Sequence, residues 1–361
     1  MVETTQNIAV VGGGIIGLTT AVCLLEAGHR VRVVARELPP DTTSNKAGAI
    51  WEPYAIEPKD RVARWSHVGY GRYAREAEDP DTGVTLVEMI EVSRVEELPK
   101  PFWWVPEYPF RRLDAAELPE GYRSGHGIRV PFIDSRRYLA VLMRRIASLG
   151  GDFELRHLDS LDAVGPAAAV VNCSGLGARE LADDPEVYPI RGQLAIVSLP
   201  DGSTPDSSTP DCSTPDSSMT DPPVRHIFDD TSHPTDEPLY IFPRGDECIL
   251  GGTAERDDPS TDEDRATRER ILERCRTVEP SLRHSLFLRS VVGLRPGRAA
   301  VRLGRDPHAQ NPAIFHNYGH GGAGFTVAWG CAEEVASLLD HEFRSAAHRA
   351  PGPKTRSQIG I

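Results

Sequence analysis

Three glycines spaced Gly12-x-Gly14-x-x-Gly17 are the first residues in the chain whose types and spacing point to chemistry. They follow the apolar run Ile8-Ala9-Val10-Val11 and precede a stretch with Leu18, Ala21, Val22 and Leu25 on one helical face. Between a strand and a helix, this spacing marks a dinucleotide site. The first glycine permits a tight turn, the second lets backbone approach a pyrophosphate, and the third lets helix pack close on strand. Ile15 and Ile16 lie in the same turn, where the helix N-terminus faces the phosphate charge. An acid ending the second strand would hold the ribose, but Ala35 stands there, followed by Arg36 and Glu37. Glu37 can reach a ribose from further along, whereas Arg36 would suit a 2′-phosphate, so this unit alone leaves flavin and nicotinamide open. His316 and His320 have a spacing that on a helix could hold a metal, but the glycines around them argue against a regular helix, and no metal is expected. Six scattered cysteines include no Cys-x-x-Cys pair and read as reduced thiols.

The elements that must position these residues are legible in outline. Gly28 ends the first helix and Val31-Arg32-Val33-Val34 supplies a second strand, completing a βαβ opening. Tyr138, Leu139, Leu142 and Ile146 predict a helix over 136–149, and 167–172 reads as a buried strand running into the turn Cys173-Ser174-Gly175. Strand character dominates 193–198 and 239–250, a charged helix is expected over 262–276, and a glycine loop feeds a helix within 317–339. The patch Pro101-Phe102-Trp103-Trp104-Val105-Pro106 belongs to a middle region rich in proline and short strands. Residues 201–222 carry three copies of a Ser-Thr-Pro-Asp repeat, too polar to offset its ordering entropy, and read as a mobile loop between two strands.

Composition narrows the partners. The 361 residues are 39% hydrophobic, with 53 acidic against 40 basic residues and a net charge of −13. An acidic surface argues against nucleic acid or an anionic membrane, and no apolar run is long enough to span a bilayer. Few residues precede the first strand, leaving no room for a signal peptide, and the C-terminus Ser-Gln-Ile-Gly-Ile is not a peroxisomal address; a cytoplasmic location is expected.

Four further stretches converge on a known family. These are Thr42-Thr43-Ser44-Asn45-Lys46-Ala47-Gly48-Ala49-Ile50-Trp51-Glu52-Pro53-Tyr54, Tyr188-Pro189-Ile190-Arg191-Gly192-Gln193, Val291-Val292-Gly293-Leu294-Arg295-Pro296-Gly297-Arg298, and His316-Asn317-Tyr318-Gly319-His320-Gly321-Gly322-Ala323-Gly324-Phe325-Thr326. In order and spacing they resemble the D-amino-acid oxidase family, over nearly the whole chain apart from the repeat insert and the last twenty or so residues. The resemblance implies FAD, since that family also tends to lack an acid at the position of Ala35. It places Arg295 on the substrate carboxylate, which a guanidinium meets with two parallel hydrogen bonds. Tyr240 matches a tyrosine touching the same carboxylate, and Gly322 a glycine whose carbonyl accepts the substrate amine. Glu52 and Tyr54 join the substrate-binding set, with Glu52 in the side-chain pocket. Thr43 and Ser44 are expected at the pyrophosphate, Ala49 and Ile50 along the isoalloxazine, and Cys173, Ser174 and Gly175 on the adenosine side. Gly319, Gly321, Gly324, Phe325 and Thr326 form a loop and helix start whose N–H groups suit the flavin N1/C2 edge.

Departures qualify the match. The family's lid tyrosine falls at Asp236, and the extra arginine of D-aspartate-oxidising members falls at Ala254, with Arg256 two residues on. A carboxylate at Glu52 would repel D-aspartate and favour basic or polar side chains. The expectation is therefore an α/β protein with a Rossmann-like FAD-binding domain (1–50, 136–188 and 290–342) interleaved with a mixed-sheet substrate-binding domain (51–135 and 189–289), and a flexible tail over 343–361. Its expected activity is oxidation of D-amino acids, neutral or basic, by O2 to 2-oxo acids, ammonia and hydrogen peroxide, with no general base. The alternatives are a glycine or N-methyl amino acid oxidase of the same superfamily and a non-catalytic flavin-binding protein. A homodimer is left open.

Overall fold

A computed structural model describes residues 5–96, 108–199, 224–229, 237–309 and 311–349. Two sheets organise the chain. In the first, β1 (Asn7–Val11) lies centrally. β2 (Arg30–Ala35) and then β6 (Asp152–Leu155) lie on one side, and β7 (Ala169–Asn172), β15 (Ala313–Tyr318) and β14 (Arg302–Arg305) on the other. All pair in parallel except β14 with β15. Parallel strands need both faces covered, which is why β1 and β7 are apolar along their length rather than alternating.

Helix α1 (Ile15–Glu26) is apolar nearly all round and buried from Ile15 to Leu25 apart from Ile16. It is enclosed by α3 (Ser135–Ser148) and α6 (Gly324–Arg349). Helix α2 (Lys59–Glu76) also lies on α6, at a distance set by two glycines. A Cβ on Gly69 would sit 2.3 Å from the Thr326 carbonyl oxygen, and one on Gly330 would sit 2.2 Å from the Trp65 Cα. The sequence reading placed α2 with the substrate part; it packs mainly on α6 and to a lesser extent on strands of the second sheet, where the Tyr70 hydroxyl donates to the Arg129 carbonyl at 3.1 Å.

The second sheet is mixed. Along it run β11 (Glu247–Gly251), β10 (Leu239–Arg244), β9 (His226–Asp229), β3 (Val84–Ser93), β5 (Ser124–Ile133) and β4 (Phe110–Arg112). Strand β8 (Tyr188–Ser198) pairs on one edge with β11 and then β12 (Glu255–Arg256), and on the other with β13 (Phe287–Gly297). Residues 290–297 were expected in the dinucleotide half; they run instead in β13, paired to β8 as far as Gly297↔Tyr188. A short helix α4 (Ala178–Leu181) follows β7, and α5 (Arg265–Val278) packs on β8, β10 and β11. Asp264 caps α5 by accepting from the Ala266 and Thr267 N–H groups, which explains its start directly after the acidic run 262–264.

The expected flexible tail is partly helical. Helix α6 continues to Arg349, held by Phe343 against the His29 ring and by a Glu342–Arg305 ion pair at 3.1 Å. The repeat insert, the Pro101–Pro106 patch, Asp236 and residues 350–361 lie outside the described residues.

Candidate active site

One cavity of about 540 Å³ opens between the two sheets, lined at one end by the β1–α1 turn and at the other by side chains of β8, β10 and β13. At the first end, Gly12 has φ +121°, and a Cβ there would fall 2.4 Å from the Cys173 carbonyl oxygen. Only glycine fits a turn pressed this closely on the end of β7. Gly12, Gly14, Ile15 and Ile16 line the cavity; Gly17 does not, its Cα facing the Gly12 carbonyl, where it closes the helix–strand contact. No acidic side chain stands in the first turn of α1, so nothing there opposes an anion. The Ile15 N–H donates to Ser44 Oγ at 3.0 Å, which leaves the Ser44 O–H for the cavity beside Thr43.

Arg36 and Glu37 lie at the rim as an exposed ion pair at 3.5 Å. Cys173, Ser174 and Gly175 line the same end. The Ser174 hydroxyl donates to Asn172 Oδ1 at 2.6 Å, so it builds the turn, and burial pushes the Cys173 thiol up to about 12. The stretch from Ala47 to Ile50 runs along the cavity. It is held by the Ile133 N–H on the Ala49 carbonyl, the Ser135 hydroxyl on the Ala47 carbonyl and the Trp51 N–H on the Pro131 carbonyl.

At the other end the half-buried Arg295 enters from β13. Its Nη1 donates to the Thr253 carbonyl at 2.9 Å, and its guanidinium lies over Gly192, where a Cβ would come within 2.4 Å of Nη1. Among the described residues Arg295 forms no ion pair with a carboxylate. Tyr240 stands beside it; burial pushes the phenol up, and the Arg295 guanidinium opposes the shift. The Tyr240 ring crosses Gly251, its cross-strand partner, and stacks on Phe242 at 5.0 Å. Phe228 and Tyr54 extend this aromatic wall edge-on at 6.3 Å. Gly322 lies beside Tyr54 and Arg295; a Cβ there would make ordinary contact with Tyr54 at 3.4 Å and Arg295 at 3.6 Å. The Gly321 N–H donates to the Pro296 carbonyl at 2.8 Å, tying this loop to the end of β13. Glu52 is buried and lines the cavity.

Besides Gly17, two further expected contacts fall elsewhere. The Thr326 hydroxyl accepts from the Glu52 N–H at 3.0 Å and donates to its carbonyl at 2.8 Å, so it clamps the Glu52 backbone and does not line the cavity. Gly319 packs on the Arg298 stem outside the cavity, while Gly321, Gly324 and Phe325 line it. The His316 ring bonds Asp306 at 3.0 Å, and His320 is buried, its pKa lowered to about 3 by desolvation. No group of three or more His, Cys, Asp or Glu among the described residues could hold a metal ion.

Sequence reasoning missed Thr253, Phe228, Phe242, Pro238 and Thr261. All but Thr253 line the cavity, and Thr253 holds Arg295 through its carbonyl. None carried a local signal of what it faces, since β9 and β10 are buried along their whole length.

A glycine turn at an uncapped helix N-terminus, a cavity continuing past it between two sheets, and a guanidinium at its far end fit a dinucleotide whose reactive ring meets a small anion. Comparison with known proteins agrees. The family model described as FAD dependent oxidoreductase matches residues 7–338. The chain is 43% identical over 330 residues to a D-amino-acid oxidase of Rubrobacter xylanophilus, covering 91% of this chain and 94% of that protein. It is 39% identical to a D-amino-acid oxidase of Streptomyces coelicolor, over 93% and 97% of the two chains. It is 34% identical to a human D-aspartate oxidase, over 97% and 99%. Among solved structures, glycine oxidase from Geobacillus kaustophilus superposes with a TM-score of 0.76 at 19% identity, covering 94% and 95% of the two chains, a likeness of fold. The protein thus belongs to the FAD dependent oxidoreductase family of the D-amino-acid oxidases, and FAD is its cofactor.

Proposed function

We propose that this enzyme oxidises neutral and basic D-amino acids with O2 and water to 2-oxo acids, ammonia and hydrogen peroxide. The observation that carries the reading is Arg295, a half-buried guanidinium in the cavity with no carboxylate ion pair among the described residues. A part-buried cation of this kind calls for an anion from the ligand, and a planar α-carboxylate supplies one with two parallel hydrogen bonds. Tyr240 adds a donor to the same carboxylate. The Gly322 carbonyl, bare of a side chain, accepts from the amine, so the two ends of the substrate fix the direction of its α-carbon hydrogen. When bound, held by the Gly12–Gly14 turn, Ser44 and the stretch from Ala47 to Ile50, FAD would supply the two-electron acceptor for the α-carbon hydrogen, with dioxygen as the final oxidant. The residues bind and orient; no side chain is assigned as general base. The name shared with two relatives at 39–43% identity supports the D configuration.

Side-chain preference follows from what lines the cavity. Ala254 lines it without a charge, and Arg256 is turned away, stacked on Tyr188 at 4.0 Å and paired with Asp257. Glu52 is a buried acid of the lining, beside Tyr54. These features favour neutral or basic side chains over acidic ones. A cytoplasmic location accompanies this reading as a proposal, in keeping with five described cysteines that are free and buried.

Peroxide release from paired D- and L-amino acids tests the reading. Turnover with D-isomers alone is expected, and Arg295→Ala should lower kcat/KM by at least about a hundredfold, the loss of a charged bidentate contact, with FAD still bound. Unchanged carboxylate affinity in that variant, or turnover of glycine and N-methyl amino acids alone, would sink it.

A further inference from the structure

Arg274, on α5 and outside the cavity lining, touches the chain where the two supports of Arg295 meet. Its Nη1 donates to Glu237 Oε2 at 2.8 Å, and its Nη2 donates to the main-chain carbonyls of Glu237 at 2.9 Å and Pro238 at 3.4 Å. Arg270, one turn earlier, donates to the other Glu237 oxygen at 3.2 Å. The Pro238 carbonyl also accepts the Gly252 N–H at 2.9 Å. From this one carbonyl the chain leads two ways. Forward from Pro238, two residues on, stands Tyr240, beside the Arg295 guanidinium. Forward from Gly252 comes Thr253, whose carbonyl accepts from Arg295 Nη1.

We propose that Arg274 is a positioning residue for substrate binding: by fixing Glu237 and Pro238 against Gly252, it sets Tyr240 and the Thr253 carbonyl, and through them the direction of the Arg295 guanidinium that receives the carboxylate. The planar fork suits this task, because one nitrogen holds the Glu237 carboxylate while the other holds two carbonyls. Arg274 and Glu237 are only 14% and 22% exposed at their side chains, so the pair is better shielded than a surface ion pair, and its geometry is the fixed kind that orients a neighbour. The proposal rests on Arg295 as the carboxylate anchor.

The test uses the FAD-loaded enzyme and reads binding apart from turnover. Pyruvate, a non-reacting 2-oxo acid, is titrated by the change in flavin absorbance, and the dissociation constant of FAD and the melting temperature are measured alongside. Arg274→Met should raise the pyruvate dissociation constant and the KM for a D-amino acid about tenfold, with FAD affinity within twofold of the parent. Arg274→Lys, which keeps the charge and loses the fork, should restore the melting temperature but not the pyruvate affinity. Should Arg274→Met not fold, Glu237→Gln and Arg274→Lys read the same contact. A pyruvate constant within twofold of the parent in a folded variant overturns the proposal, as does a loss of FAD affinity in step with it, which a merely structural role would give. If the parent binds pyruvate and releases no peroxide with D-amino acids, the proposed reaction fails while this inference stands. If pyruvate affinity ignores Arg295→Ala, both fail.

Discussion

At the scale of single residues, the chemistry depends on the Arg295 guanidinium, which no described carboxylate pairs. Glu52 lines the same cavity with its backbone clamped by Thr326. A carboxylate in a low-dielectric cavity discriminates between ligand charges more than one in water, because its field is less screened. Glu52→Gln keeps the shape and removes the charge. It should lower kcat/KM for D-lysine or D-arginine relative to D-alanine by about tenfold, a difference near 1.4 kcal/mol, and raise the relative rate with D-aspartate. Steady-state kinetics on the four substrates decides; an unchanged ratio would remove Glu52 from the specificity pocket. Ala254 and the outward Arg256 would then carry the exclusion of acids alone.

At the scale of elements, several of the contacts between strands and helices are ionic as well as apolar. Glu247, at the start of β11, accepts from Arg289 of β13 at 2.6 and 2.8 Å and pairs with Arg136 of α3 and Arg244 of β10. Hydrogen bonds from Arg289, against some desolvation, hold its carboxyl down to about 2. A group depressed in the folded state contributes stability above its unfolded value, near 4.3, and loses it as pH falls toward the folded one. Glu247→Gln should therefore lower the melting temperature at pH 7, and the gap from the parent should close between about pH 4 and pH 2. Thermal unfolding across that range checks it; a constant gap would assign the loss to packing. The same long-range pairing explains what sequence could and could not give. The Gly12 turn, α1, α3 and α5 were legible because their signals are local: glycine spacing, apolar periodicity and a charged helical run. Residues 290–297 were expected with the dinucleotide part, yet β13 pairs β8 of the second sheet, because 291–296 reads as a strand whichever sheet it joins. Its partner, β8, lies about a hundred residues earlier. Thr253 and Pro238 act through backbone carbonyls, which leave no mark on residue type, and Thr326 looked like a cofactor contact only because it follows the glycine loop.

At the scale of the whole molecule, the two sheets are joined by a cavity whose contents should reinforce both, since a ligand that binds only the folded state stabilises by about 2.7 kcal/mol at a hundred times its dissociation constant. The chain as a whole carries a net charge of −13. A ribbon of acids, Asp257, Asp258, Asp262, Glu263 and Asp264, flanks Thr261 at its lining, while Arg295 waits inside. An acidic exterior attracts a substrate with net positive charge, leaves a zwitterion nearly indifferent, and repels an acidic one, and salt screens each effect within about 8 Å at physiological strength. The expected outcome is that kcat/KM for D-arginine falls as sodium chloride rises from about 10 to 300 mM, that for D-alanine stays nearly flat, and that for D-aspartate climbs. Glu52→Gln should lower the level of the D-arginine curve and leave most of its slope, because the slope comes from charges at the entrance. If instead the slope disappears with Glu52, the discrimination is made at the bound side chain and the acidic surface contributes solubility alone.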